Sequence, residues 1–215
     1  MHAQTAQLPK LAFDIESAQA VSFAAAPTVA FALRVSSDLP VRSLALNAQI
    51  RIAPARRRYT AHDQERLVDL FGPPERWGET LRTFRWAQVP VLVPPFTGST
   101  LVEVPVSCTY DFEVATAKYF YALEDGEIPL EFLFSGTIFY LAEGARLQTA
   151  QVPWECEAAF RLPVQIWKSA LDAHFPQAAW LRVRDDVFAR LAQYKARHAL
   201  PTWEATFDEL LDGRE

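Results

Sequence analysis

Glycine and cysteine are scarce in this chain of 215 residues, which contains seven glycines and two cysteines. Phosphate-binding loops need glycines that let backbone amides approach the phosphate, and neither G-x-x-x-x-G-K-[ST] nor G-x-G-x-x-G occurs. The two cysteines, Cys108 and Cys156, fit a protein of the reducing cytosol. The sequence therefore carries no nucleotide-binding signature.

Metal-binding and nucleophile motifs are also missing. The four histidines and two cysteines form no C-x-x-C, H-x-x-x-H or H-E-x-x-H pattern, and no G-x-S-x-G elbow occurs. A cysteine–histidine pair brought together only in space stays open as an alternative. We predict no catalytic residue, no metal site and no cofactor.

Long apolar runs are absent as well. No stretch of about 18 uninterrupted apolar residues exists, so we expect no membrane-spanning helix. The first residues, MHAQTAQLPKLAF, lack the basic and long apolar regions of a signal peptide. The expectation is a soluble, cytoplasmic protein.

The charges are few but unevenly distributed. The net charge of −5 argues against a general nucleic-acid binder. Residues 40–85 nevertheless hold nine arginines against five acidic residues, whereas residues 108–162 hold nine acidic against three basic residues. This asymmetry could orient a protein partner or form pairs within the chain, and both interpretations stay open.

Apolar and aromatic residues are plentiful. Half of the residues are hydrophobic, including 15 Phe, 6 Trp and 6 Tyr, which is typical of a packed globular protein. A chain of this length buries about 70% of its unfolded surface, so its core needs no disulfide or metal. We predict one domain over 1–215, with a β-rich core at about 11–162 and a helical segment at about 163–212.

Alternating apolar residues predict strands over most of the core. The clearest is LALNAQIRI (44–52), and TVAFALRV (28–35) is its predicted partner through the turn SSDLP. Strands follow from about 84 to 162. They include YDFEVATAKYFYAL (110–123), with a bulge near 115–117, and the central strand PLEFLFSGTIFYL.

Helix signals occur at two places. A short helix is predicted at 61–71, because Thr60 can cap it with Asp63 three residues on and Gly72 can end it. Two or three helices follow residue 163. The order of strands, one helix, strands and then helices favours an α+β fold. We predict a mainly antiparallel β-sandwich with one inserted short helix and these C-terminal helices.

The candidate binding patch is Arg56, Arg57, Arg58 and Tyr59, between a strand and a helix N-terminus. Guanidinium groups bind phosphate or carboxylate, and the helix N-terminus adds a positive dipole. The alternative is a solvated corner whose arginines pair with Asp63, Glu65 or the acidic segment. The lack of glycine favours the second interpretation. If the patch binds a ligand, we expect an acidic protein surface in preference to nucleic acid.

Two further features invite interpretation. The acidic stretch LEDGEIP lacks the regular ligands of a calcium loop and predicts a hairpin turn, with Gly126 supplying a positive φ. Most tryptophans are expected in the core, but Trp203 is the candidate for facing a partner.

Several strings together resemble a known family. They are IRIAPARRRYT, RLVDLFGPPERWG, FTGST, CTYDFEVATAKYFYALEDGEIPLEFLFSGTIF, QVPWE and YKARHALPTWEAT. From about residue 20 to 210 the chain resembles an uncharacterised bacterial family, classed only as a domain of unknown function. That family is similar to proteins encoded beside high-affinity, actinobacterial-type [NiFe] uptake hydrogenases. The resemblance implies an accessory role near that enzyme and carries over no catalytic residue.

The favoured hypothesis is a non-enzymatic accessory or assembly protein with a hydrogenase-related protein partner. The alternative is a small-molecule-binding β-sandwich, or an unrecognised enzyme, that uses an aromatic-lined pocket.

Overall fold

A computed structural model describes residues 8–109, 114–142, 146–174, 176 and 182–213. The chain divides into two compact units, Met1–Ala179 and Trp180–Glu215, hereafter unit 1 and unit 2. Seven described strands, all in unit 1, form one antiparallel sheet. The strands are β1 (Leu11–Ala20), β2 (Thr28–Ile52), β3 (Phe84–Val93), β4 (Phe96–Ser107), β5 (Glu127–Ala142), β6 (Arg146–Gln151) and β7 (Glu157–Pro163).

Six α-helices occur in the part of the chain that the structure describes. They are α1 (Ala61–Phe71), α2 (Trp77–Thr80), α3 (Ala115–Ala122), α4 (Val164–Asp172), α5 (Asp185–Arg197) and α6 (Trp203–Asp212). The α+β class and the antiparallel pairing are confirmed, but the predicted number of helices is too low, because α2 and α3 were not predicted. None of these helices combines the length and apolar character that crossing a bilayer requires.

The strand β2 is 25 residues long, and its two halves pair with different strands of the sheet. Its first half pairs with β1 and β4, and its second half pairs with β3 and β5. The turn predicted at 36–40 is therefore wrong. The pairing register with β4 shifts between Ser37 and Val41, but β2 continues through this segment as one strand without reversing. At this irregularity the Ser37 hydroxyl donates to Leu39 O.

The helix α1 begins and ends where the sequence predicts. Thr60 accepts from Asp63 N at 3.1 Å, and the Asp63 carboxylate accepts from Thr60 N at 3.2 Å, which completes a capping box. Gly72 follows the helix with φ 75°, a left-handed value that favours glycine. Local signals of this kind act within a few residues, which explains why the prediction succeeded.

The helix α3 corrects the strand predicted over 110–123. Residues 110–113 of that segment lie outside the described residues, and Ala115–Ala122 is helical. Thr116, Tyr119 and Phe120 are buried at helical spacing, and Ala117 and Ala122 are buried as well. A helix covered on most sides loses the polar face that would have shown its period, so its sequence resembles a buried strand.

The sheet is curled into a half-barrel, so side chains from distant strands meet inside it. Phe31 on β2 contacts Phe132 on β5, with ring centroids 5.1 Å apart, and also Trp86 and Phe160 at 5.9 Å. Because all described strands belong to one sheet, a two-sheet sandwich is not confirmed. The central position predicted for β5 is confirmed, since β2 pairs with one edge and β6 and β7 with the other.

Position 136 of β5 requires glycine, because the backbone of β2 lies very close to it. Gly136 has φ 145°, and a Cβ at this position would lie 2.0 Å from Ala45 O on β2. No real side chain tolerates that distance, so the strands would have to separate. We expect Gly136→Ala to lower the free energy of unfolding by about 3 kcal/mol in urea denaturation.

The matched control for this substitution is Gly78→Ala in α2. A Cβ at Gly78 meets nothing within 4 Å, so this change should be neutral or slightly stabilising. Equal unfolding midpoints for the two variants would contradict the close approach at Gly136.

Candidate functional site

The corner between β2 and α1 holds the four residues of the predicted patch. A 3-10 turn, Pro54–Arg56, leaves β2, and extended backbone then leads to Thr60 at the start of α1. The structure does not turn the four side chains to one surface. Arg56 and Arg58 are exposed, whereas Arg57 and Tyr59 point into unit 1 and are partly covered.

The Arg57 side chain binds the backbone of the acidic turn, residues 124–127, at the start of β5. This side chain is only 9% exposed. Nη1 donates to Glu127 O at 2.9 Å, and Nη2 donates to Asp125 O. The Asp63 carboxylate lies 3.6 Å from Nη2 and supplies the opposite charge. We call this arrangement the arginine clamp; it uses the fork geometry that distinguishes arginine from lysine.

The clamp fits closely around its turn. Gly126 has φ 85°, which confirms the positive φ predicted there, and a Cβ on it would lie 3.3 Å from Arg57 Nη1. The buried Nε of Arg57 has no hydrogen-bond partner in the described residues. The guanidinium is therefore held by two carbonyls and one carboxylate, and with a side chain only 9% exposed, little of it is open to an external anion.

Asp63 has two roles at the same place. Besides capping α1, it accepts from Glu124 N at 3.2 Å. A buried carboxylate needs such partners because an unpaired charge away from water is costly. Asp63 thus connects the start of α1 to the acidic turn, beside the clamp.

The acidic turn is fixed from α4 as well. Glu124 O accepts from Lys168 Nζ at 2.9 Å and from Gln165 Nε2 at 3.3 Å. Val164 N donates to Gly126 O at 2.8 Å. The predicted turn is thus present, but it joins α3 to β5, so it is not a hairpin between two strands. Its backbone is held from two sides, and the acidic side chains project outwards.

Tyr59 and Tyr119 form a buried hydroxyl pair. The hydroxyl oxygens lie 2.8 Å apart, and Tyr59 donates to Pro54 O at 2.8 Å. Burial, followed by the neighbouring Tyr119, raises the pKa of Tyr59. Burial also raises the pKa of Tyr119 to about 12. Both hydroxyls stay protonated at neutral pH, so the pair supports packing and provides no base.

The aromatic residues near the corner fill the interior. Ring pairs made by Tyr59, Phe71, Trp77 and Tyr119 have centroids 5.1 to 6.5 Å apart. Such edge-to-face contacts are typical of a packed core.

Trp203, the candidate for facing a partner, lies at the start of α6 in unit 2. Its ring contacts Phe188 with centroids 5.2 Å apart, and Lys195 Nζ lies 5.8 Å from its centroid. The side chain is half-buried by these two residues. Its role towards a partner stays a prediction.

The charged segments pair in part with one another. Arg56 lies 3.0 Å from Glu131 of the acidic segment, so one of the expected pairings within the chain is present. Within the described residues, Arg58, Glu124, Asp125 and Glu127 make no ion pair and are exposed. These four side chains form what we call the charged rim, around a backbone that the clamp holds in place.

Sequence reasoning missed one concave surface of unit 1. A pocket of about 220 Å³ is lined by Arg66, Tyr121, Trp167, Lys168, Leu171 and Asp172. Arg66 donates to Tyr121 O at 2.7 Å, and Lys168 donates to Glu124 O. These residues come from α1, α3 and α4, and α3 was predicted as a strand, so no sequence pattern could bring them together.

Neither cysteine is activated. Cys108 is buried, and burial raises the pKa of its thiol to about 12. Burial and then the charge of Glu155 raise the pKa of the partly exposed Cys156. Among the described residues, no three His, Cys, Asp or Glu side chains converge as metal ligands would.

Fold and corner together define a mainly antiparallel α+β protein in which a buried arginine clamps an acidic turn. Residues 8–215 match the family described as "Family of unknown function (DUF6084)", and the chain belongs to that family. No curated protein matches it.

Solved structures overlap only loosely with the chain. A β-glucosidase from Kluyveromyces marxianus gives a TM-score of 0.29 at 9% identity over 71% of this chain, which spans 15% of the enzyme. The CARDB domain of the PF1109 protein from Pyrococcus furiosus, in complex with di-metal ions, gives 0.29 at 10% identity over 74% of this chain and 96% of the domain. β-glucosidase 3B from Thermotoga neapolitana gives 0.26 at 9% identity over 71% of this chain and 17% of the enzyme. Overlaps this loose carry no argument about function.

The clamp predicts a sharp contrast between neighbouring arginines. Arg57→Ala removes two hydrogen bonds to carbonyls and leaves the buried Asp63 without its opposite charge, so we expect a loss of about 3 kcal/mol in urea unfolding. Arg58→Ala, which removes an exposed side chain, should change stability by less than about 0.5 kcal/mol. Similar losses for the two variants would contradict the clamp.

Thiol reactivity provides a second test of the packing. With a pKa of about 12, Cys108 should resist iodoacetamide in the native protein at pH 8. Cys156 is less buried and should react first. Unfolding in urea should make the two rates similar, and peptide mass spectrometry separates the two sites. Native modification of Cys108 as fast as Cys156 would disprove the burial.

Proposed function

We propose that the protein is a non-enzymatic accessory protein that binds a protein partner through the corner between β2 and α1. The supporting observation is the contrast between the arginine clamp and the charged rim. Arg57 is committed to the fold, whereas Arg58 and three acidic side chains are exposed on a backbone fixed from two sides. A fixed surface with charges of both signs suits the selection of a complementary protein surface, since such charges govern encounter and specificity.

The proposed partner is a component of a [NiFe] uptake hydrogenase, or a protein that assembles it. Support for this choice comes from the family resemblance and its gene neighbourhood. The corner adds a chemical preference: Arg58 and the acidic residues Glu124, Asp125 and Glu127 are all exposed, so the partner surface should present both acidic and basic groups. A uniformly acidic ligand such as nucleic acid fits this mixture less well.

The pocket beside Trp167 is one of the places in unit 1 where the alternative, a small-molecule site, would fit. Arg66 and Lys168 reach this pocket, but each donates to a backbone carbonyl of unit 1. The aromatic side chains at the corner are in ring-to-ring contact, which fills the space that an aromatic-lined pocket would need. These contacts favour the accessory role over the alternative.

Affinity capture of the full chain from its native host, followed by mass spectrometry, tests the accessory role directly. We expect hydrogenase components among the captured proteins, and reduced hydrogen uptake after deletion of the gene. Capture of no hydrogenase component, together with unchanged uptake in the deletion strain, would refute the association.

Charge reversal at the corner tests the surface itself. Arg58→Glu should weaken capture of the partner by about tenfold, because rim charges act on encounter and specificity. The thermal midpoint should stay unchanged, since Arg58 is exposed and makes no ion pair in the described part of the chain. Arg57 is unsuitable for this experiment because its reversal would disrupt the clamp.

The matched control is Arg42→Glu, which reverses an exposed arginine of β2 away from the corner. It alters the net charge equally and should leave capture intact. Equal capture by the wild-type chain and Arg58→Glu, or an equal loss with Arg42→Glu, would overturn the assignment of the surface.

A further inference from the structure

Several apolar side chains are exposed in the part of unit 2 that the structure describes. Thr206 is the only buried residue among those described in α5 and α6. Phe188, Phe207 and Leu211 are exposed, Leu211 to 69%. Monomeric proteins rarely expose contiguous apolar surface, so an uncovered face of this kind marks a site of interaction.

The helix α5 carries a groove with a basic rim. The groove has a volume of about 480 Å³ and contains Val187, Leu191 and Tyr194, with Leu210 of α6 at its wall. Arg190 and Arg197 lie along one side of it. Both arginines are exposed, and neither makes an ion pair within the described residues.

The helix α6 carries the complementary pattern. Phe207 and Leu211 are four residues apart and therefore lie on one face of the helix. Asp208 and Asp212 follow them one position on and flank this apolar pair with negative charge. Trp203, which contacts Phe188 of α5, lies four residues before Phe207 on this same side of the helix, whereas Glu209, which binds Tyr194 of α5, lies on the opposite side. Phe207 and Leu211 are nevertheless exposed.

We propose that the protein self-associates through unit 2, with the acidic face of α6 from one copy in the arginine-rimmed groove on α5 of a second copy. The apolar residues Phe207 and Leu211 enter the groove, and the two aspartates face Arg190 and Arg197. This is the binding of an amphipathic helix in an apolar groove. The proposed arrangement is two-fold: each copy supplies its groove to the other copy and its helix to the other groove, so the contact is made twice in the dimer.

Sedimentation of the full chain over a concentration series tests the proposal. We expect a reversible dimer for the wild-type protein. The variant Arg190→Glu/Arg197→Glu should weaken the dimer by about 100-fold, because like charges then face each other across the contact. Asp208→Arg/Asp212→Arg should do the same, although arginines near the end of α6 favour the helix itself.

Mixing the two double variants gives the decisive result. The new glutamates on α5 then face the new arginines on α6 in both contacts, so the mixture should form a heterodimer of near wild-type affinity. The matched control, Arg42→Glu/Arg161→Glu, changes the net charge by the same amount at exposed sites of unit 1 and should still dimerise.

Circular dichroism must show native helix content for each variant before its association is interpreted. A wild-type chain that stays monomeric throughout the series would overturn the proposal, because the groove would then be covered within a single chain or left open. Double variants that still dimerise, or a mixture that fails to recover, would also overturn it. None of these results bears on partner capture at Arg58, so the two proposals can fail independently.

Discussion

The fold of unit 1 depends on one buried guanidinium. Arg57 connects the end of β2 and the start of α1 to the turn before β5, across about 70 residues of sequence. Burying a charge is unfavourable unless it is paired and hydrogen-bonded, and here the charge of Asp63 and two carbonyls supply those partners. Because the guanidinium is planar and forked, its two Nη atoms donate to two separate carbonyls in a fixed geometry while the same group faces a carboxylate, whereas the ammonium of lysine is a compact point charge without that geometry.

The clamp changes the interpretation of the three consecutive arginines. A run of positive charge suggests an anion site, yet the middle residue holds the fold together and Arg56 pairs with Glu131. Arg58 is exposed and makes no ion pair within the described residues. A surface held in one conformation before binding loses little entropy when it binds, so even a small number of charges there can contribute to specificity.

The features that the sequence predicts correctly are those that local interactions determine. The cap of α1 and the positive φ of Gly126 depend on residues within a few positions, and both are confirmed. The prediction failed for α3, whose covered surface hides the helical period, and for 36–40, where β2 continues as one strand while its pairing register with β4 shifts. One part of the clamp was predicted, because Asp63 was among the predicted partners of the arginines. The carbonyls of Asp125 and Glu127 could not be foreseen, since every residue has a carbonyl and no pattern marks which one is used.

The described helices of unit 2 bury much less apolar surface than unit 1 does. Unit 1 buries a large aromatic core, whereas α5 and α6 bury little beyond Thr206. Helices of 13 and 10 residues are marginal in water by themselves, because most helical stability in proteins comes from packing an apolar face. The contacts of Trp203 with Phe188 and of Glu209 with Tyr194 fasten the two helices together, but they leave Phe207 and Leu211 in solvent. A second copy that covers these residues would therefore stabilise the helices as it binds, so that the order of unit 2 and its association reinforce each other.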